Sequence, residues 1–140
     1  MDNSMQNQPA QTSQGDTEVA VIMTTNLTTA TPADPLVEVA RLFRNVSFHH
    51  LPVVAGDRLL GIISDRDVSN WLAGPKEPDQ SASDIMSKEP VTVHSTTSVE
   101  TASILLLENP FSCLPVVNDQ HSLVGILTWK DLLRFYVYHT

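Results

Sequence analysis

The run Gly61-Ile62-Ile63-Ser64-Asp65-Arg66-Asp67 returns later in the chain as Gly125-Ile126-Leu127-Thr128-Trp129-Lys130-Asp131. Each copy closes an apolar stretch with a hydroxyl residue and places an aspartate three positions on. Each also follows a Leu-Pro-Val-Val block, at 51–54 and 114–117. A duplication this detailed restricts the chain to one supersecondary unit built twice. From Ile22 the copies align at an offset of 63: Ile22-Met23 on Ile85-Met86, Thr29 on Thr92, Leu42 on Leu105, Phe48 on Phe111. After the Val-Val pair the offset becomes 64, so Gly61 falls on Gly125 and Asp67 on Asp131. A one-residue insertion belongs in a hairpin turn, and both copies offer one there, Ala55-Gly56-Asp57 against Asn118-Asp119-Gln120-His121. A repeat of 63 residues is close to the lower limit for folding alone, so the halves are expected to share one core.

Each half reads strand, helix, strand, strand, helix. Short strands fall near 27–30 and 91–93. Asp34 is the expected N-cap of the first helix, with Pro35 at its first position. Thr97 and Glu100 are expected to form a capping box at the aligned place. Leu36, Val39, Ala40 and Phe43 recur at helical spacing, as do Val99, Ala102, Leu105 and Leu106. Runs rich in Val, Ile and Leu predict hairpins of 51–55 with 58–63 and of 114–118 with 122–127. The closing helices are expected over 65–73 and 129–138, the first stopped by Gly74-Pro75. The domain plan is therefore a polar, disordered tail at 1–17, a first repeat at 18–73, a linker at 74–83 and a second repeat at 84–140.

Net charge is −8, and the eight basic residues are scattered. No basic stripe exists to neutralise phosphates, which argues against duplex nucleic acid and against an anionic membrane surface. No apolar run is long enough to span a bilayer, and the N-terminus has neither the basic nor the apolar part of a secretory leader. A cytoplasmic protein is expected. Cys113 stands alone, which excludes an internal disulfide. His49 and His50 are adjacent, but strand neighbours point to opposite faces, so no metal site is expected. No phosphate-binding Gly-rich loop, paired carboxylates or nucleophile with its base is present, and an enzyme is not expected.

A βαββα repeat with an Ile-Met start, a Leu-Pro-Val-Val strand and a Gly-Ile-Ile-Ser-x-x-Asp or Gly-Ile-Leu-Thr-x-x-Asp end resembles the CBS domain. Two in tandem resemble a CBS pair, or Bateman module, over roughly residues 19–140. Similar pairs occur as inserts in inosine monophosphate dehydrogenase, as attachments on channels and kinases, and as small stand-alone bacterial proteins, acetoin-utilisation-like ones included. The resemblance implies an α+β fold of two repeats in pseudo-twofold relation about a central cleft. It implies adenosine compounds as regulatory ligands, with AMP, ADP or ATP foremost, no required cofactor, a homodimer, and a regulated enzyme or transporter as a possible partner.

The resemblance also assigns site residues. Asp67 and Asp131 would hold ribose hydroxyls, with Ser64 and Thr128 near the ribose or phosphate. Thr24, Thr25 and Leu27 would line the first base pocket, and Ser87, Lys88 and Val91 the second. The residues at the Pro-Val strand, His50, Leu51 and Pro52 in one half and Cys113, Leu114 and Pro115 in the other, would complete them.

The residues supply the chemistry. A carboxylate only accepts hydrogen bonds, so its two oxygens can take the 2′ and 3′ hydroxyl protons together. The hydroxyl residue opens a helix, whose free N–H groups favour an anion. Arg66 and Lys130, one before each aspartate, could meet phosphate oxygens. Ser-x-x-Asp and Thr-x-x-Asp are equally what plain N-capping requires, and spacing alone leaves both readings open. The copies also differ, with Asp65 where the second half has Trp129, so unequal sites are expected. The aromatic C-terminus, Leu132 to Tyr138, is a candidate dimer face. The alternative function is a ligand-independent dimerisation or docking module with empty pockets.

Overall fold

The computed structural model describes residues 17–45 and 49–138. The expected tail, 1–16 of it, and the aligned Phe48 lie outside the described residues. The elements are α1 (Val19–Ile22), α2 (Leu36–Asn45), β1 (His50–Ala55), β2 (Arg58–Ser64), α3 (Asp65–Ala73), α4 (Ala82–Ile85), β3 (Ser87–Lys88), β4 (Val93–His94), α5 (Val99–Glu108), β5 (Cys113–Val117), β6 (Leu123–Thr128) and α6 (Trp129–Tyr138). Both closing helices have the expected bounds, because a cap at one end and an apolar face along the length agree.

Two corrections concern caps. Asp34 does not cap α2: its carboxylate accepts from the Thr31 N–H at 3.0 Å and the Thr31 hydroxyl at 2.7 Å. Thr97 likewise accepts from the His94 N–H at 3.1 Å, while Ser98 caps α5 through the Thr101 N–H at 3.1 Å. Asp34 and Thr97 are aligned residues, so both copies use this position to close the turn ahead of the helix. The helix begins one residue later than expected, with the Pro35 carbonyl receiving the Val39 N–H at 3.1 Å and the Ser98 carbonyl receiving the Ala102 N–H at 3.1 Å.

The described residues form two compact units. One gathers, of the described residues, 17–25, 92–118 and 124–138; the other gathers 26–45, 49–91 and 119–123. The first holds sheet β4-β5-β6 and the second sheet β1-β2-β3. In the second unit β1 and β2 pair antiparallel with His50 opposite Ser64, and Gly56, at φ 64, turns the loop between them. The tip of the later hairpin joins this unit: the Leu123 N–H donates to Asp57 O at 2.8 Å.

The expectation of a single shared core is corrected. Val19, Val99, Leu106, Leu114, Val116, Leu127 and Phe135 anchor one cluster, and Leu36, Val39, Leu51, Val53, Ile63 and Ala82 another. Each cluster is completed by a residue from the segment that leads into the other repeat, Ala82 standing at the end of the expected linker. Val19, fully buried, leads the first repeat yet packs with the second, and Ala82, fully buried, does the reverse. The bonds follow the same exchange. Val19 N–H donates to Thr97 O at 2.8 Å, and Ala82 N–H donates to Asp34 O at 2.8 Å. Val99 N–H donates to Thr17 O at 2.7 Å, and Leu36 N–H donates to Gln80 O at 3.0 Å. A repeat this small reaches a closed core by taking its partner's leading segment as an extra element.

Candidate functional site

Each Ser/Thr-x-x-Asp motif sits where the second strand of a hairpin, β2 or β6, ends and a helix begins. At the first, the Ser64 hydroxyl accepts from the Asp67 N–H at 3.1 Å, and Asp67 Oδ2 accepts from the Ser64 N–H at 2.8 Å. This reciprocal box satisfies two backbone donors. Asp67 is half-buried, and its Oδ1 accepts no hydrogen bond among the described residues. A charged acceptor is therefore held in place by its other oxygen.

The second motif is different. Asp131 is only 4% exposed. Its Oδ2 accepts from the Thr128 N–H at 2.9 Å and the Thr128 hydroxyl at 3.1 Å. Its Oδ1 accepts from the Thr24 hydroxyl at 3.0 Å and lies 3.7 Å from Arg134 Nη1. Both oxygens are engaged, as a buried carboxylate requires. The two motifs thus differ in the partners of their aspartates as well as in Asp65 against Trp129.

The leading segments explain the motif glycines. A side chain on Gly125 would put its Cβ 2.5 Å from Met23 Sδ, and one on Gly61 would lie 2.7 Å from Met86 Sδ and 2.7 Å from Ser87 O. The glycines let these segments lie flat on the strand. Thr24 N–H donates to Ile126 O at 2.8 Å, and Ile126 N–H returns to Thr24 O at 2.9 Å. Ser87 and Lys88 pair with Ile62 and Gly61 in the same way. Thr24 therefore stands with Asp131, whereas Ser87 and Lys88 stand with the strand that leads to Asp67. The segment expected to line the first base pocket is thus paired beside the second motif, and that expected to line the second beside the first.

His50 opens β1 opposite Ser64. Burial lowers its pKa, against the raising influence of Asp65 and Asp67, while His49 lowers it further. His49 Nδ1 lies 2.8 Å from Asp65 Oδ2, a bond that holds the Asp65 carboxyl below its usual range. Cys113, aligned with His50, is buried, and burial pushes its thiol up to about 12. Leu51, Pro52, Leu114 and Pro115 are buried, with Leu51 and Leu114 in the two cores. Thr25, Arg66, Ser87, Lys88, Val91 and Lys130 are exposed, and Leu27 is half-buried. Arg134 escaped the sequence reading, although its spacing three residues after Asp131 is the helical signal that could have found it.

A groove of about 270 Å³ lies elsewhere, between Val37 at the start of α2, Trp71 of α3 and the loop through Pro78. It includes none of the residues expected to bind ligand. Its polar rim satisfies itself: Trp71 Nε1–H donates to Gln80 Oε1 at 2.7 Å, which also accepts the Glu77 N–H at 3.1 Å. Among the described residues no group of His, Cys, Asp and Glu is placed to hold a metal ion, and no helix is long and apolar enough to cross a membrane.

Comparison with known proteins gives the same repeat. A family model described as CBS domain matches residues 18–74 and again 82–138. The CBS domain-containing protein YhcV of Bacillus subtilis is 34% identical over 111 residues, 79% of this chain and 79% of its own length. Inosine-5'-monophosphate dehydrogenase of Korarchaeum cryptofilum is 34% identical over 104 residues, and the match spans only 21% of that enzyme. The structure of CBSX2 from Arabidopsis thaliana in complex with AMP superposes with a TM-score of 0.79 at 28% identity, over 86% of this chain and 96% of that one. The CBS domain pair of protein MJ0100, in complex with 5'-methylthioadenosine and S-adenosyl-L-methionine, gives a TM-score of 0.76 at 28% identity over 89% of this chain and 98% of that one.

Proposed function

The chain belongs to the CBS-domain family as a tandem pair, and from that premise we propose that it is a non-catalytic regulatory module for an adenosine-containing ligand, AMP, ADP or ATP, bound at its Ser/Thr-x-x-Asp turns. The observation that carries this reading is the Asp67 carboxylate. Its Oδ2 is fixed by the Ser64 N–H, and its Oδ1 accepts nothing among the described residues. A cap alone needs one oxygen; a ribose diol uses the other. The relatives support the ligand class, since CBSX2 holds AMP and the MJ0100 pair holds two adenosyl compounds. Burial raises the Cys113 thiol to about 12, so it offers no thiolate nucleophile at neutral pH.

Regulation requires that the ligand favour one of two states. We assign the partner surface to α5 and α6, where Leu107, Leu133, Val137 and Tyr138 are 69%, 62%, 66% and 77% exposed. A homodimer through this face in the cytoplasm, acting on an enzyme or transporter, completes the reading. The same face is what favours the alternative, a docking module that needs no ligand. A thermal-shift panel of AMP, ADP, ATP, S-adenosylmethionine and NAD separates them, because a ligand of the folded state raises its melting temperature. A rise with an adenosine nucleotide supports the sensor; no rise with any, while Leu133→Glu still breaks the dimer, supports docking.

A further inference from the structure

We infer that the Thr24 hydroxyl is a latch on the second site, so that the Asp67 site takes ligand first and the Asp131 site only after that hydroxyl gives way. The inference rests on the adenosine reading above. The hydroxyl of Thr24 donates to Asp131 Oδ1 at 3.0 Å, the oxygen that a ribose hydroxyl needs. Thr128 already takes Oδ2 through its N–H and its hydroxyl, and Arg134 faces Oδ1 at 3.7 Å. Thr24 is not loosely placed. Two backbone bonds pin it to Ile126, and Met23 covers Gly125. The aligned residue in the other unit, Ser87, pairs with β2 by the same backbone pattern but makes no bond to Asp67. The two motifs therefore share a frame and differ in one side-chain bond.

Thr24 acts as a positioning residue. It supplies to Asp131 the hydroxyl that the ligand would otherwise supply, so ligand and latch compete for one acceptor. Its removal leaves a buried carboxylate oxygen short of a donor, which a ribose hydroxyl can then fill. The expected gain at this site is about tenfold in affinity, within the range that one hydrogen bond to a charged acceptor commands. Binding there must turn the Thr24 hydroxyl away from Asp131, on a segment whose Val19 is packed into the core of the same unit. Occupancy of the second site thereby breaks a side-chain bond that the first does not hold.

The test is calorimetry of the full chain with AMP and with ATP in an Asp67→Asn background. Asparagine keeps an acceptor for the Ser64 N–H but loses the charge that a ribose diol prefers. Thr24→Val should tighten the remaining binding by about tenfold, and Thr24→Ser, which keeps the hydroxyl, should not. Adding Asp131→Asn should remove the gain, which locates it. If Thr24→Val leaves the affinity unchanged or weaker while the wild-type chain binds, the latch is refuted and the ligand reading stands. If no variant and no wild-type chain binds either nucleotide, both are refuted. A melting curve without ligand guards against misfolding, since Thr24 is exposed and valine is its isostere.

Discussion

Asp67 and Asp131 stand three residues after a hydroxyl in both copies, and each caps its helix, yet they differ as chemical groups. One is half-buried with an oxygen that accepts nothing among the described residues; the other is buried with both oxygens engaged. Asp67→Ala should lower stability by about 0.5–2 kcal/mol through the lost cap, and Asp67→Asn by less, as read from urea unfolding. The residue scale also carries a pH dependence. Burial lowers the pKa of His50 from 6.5, so below that pH the unfolded chain binds a proton that the folded chain refuses. Stability is fully present above pH 6.5 and falls as pH drops towards the folded value. Asp65 acts further down: the His49 bond lowers its pKa from 3.8, and that contribution, screened because Asp65 is exposed, is lost as pH falls through the lower value. His50→Gln should flatten the melting-temperature slope just below pH 6.5 and leave the acid limb; an unchanged slope would exclude His50 as its source.

At the scale of elements, the hairpins and closing helices were legible because period, turn chemistry and caps agreed. The caps of α2 and α5 were read one residue early. Thr97-Ser98 offers two capping residues in succession and Asp34-Pro35 only one, yet in both copies the first of the two is drawn into the turn that precedes the helix. The candidate aspartates were legible from the duplication, but the engagement of Asp131 was not, since it depends on Thr24 from 107 residues away. Nor was the role of the glycines. Alignment shows that Gly61 and Gly125 correspond; only the packing shows a methionine over each. Gly125→Ala should therefore cost about 1–3 kcal/mol by overpacking against Met23, with the midpoint of unfolding as the measurement. A neutral result would mean that the leading segment lifts away from β6 at little cost.

For the whole molecule, the exchange of leading segments is the feature that sequence could not place. A constant offset identifies equivalent residues in two copies but not the copy against which each packs. Val19 and Ala82 complete the core of the opposite repeat, so each unit depends on chain supplied by the other. Deletion of residues 1–25 should accordingly weaken the later repeat, from which Val19 is withdrawn, more than the earlier one. Hydrogen exchange should show lost protection across β5, β6 and α6; loss confined to β1, β2 and α3 would contradict the exchange. The central claim remains that this frame holds an adenosine ligand at Asp67. Isothermal calorimetry of AMP and ATP against the wild-type chain and Asp67→Ala tests it most directly. The account predicts saturable binding that weakens by roughly tenfold to several-hundredfold in the variant, the worth of one or two bonds to a charged acceptor. Equal affinity in the two proteins, or no binding to either, would contradict it.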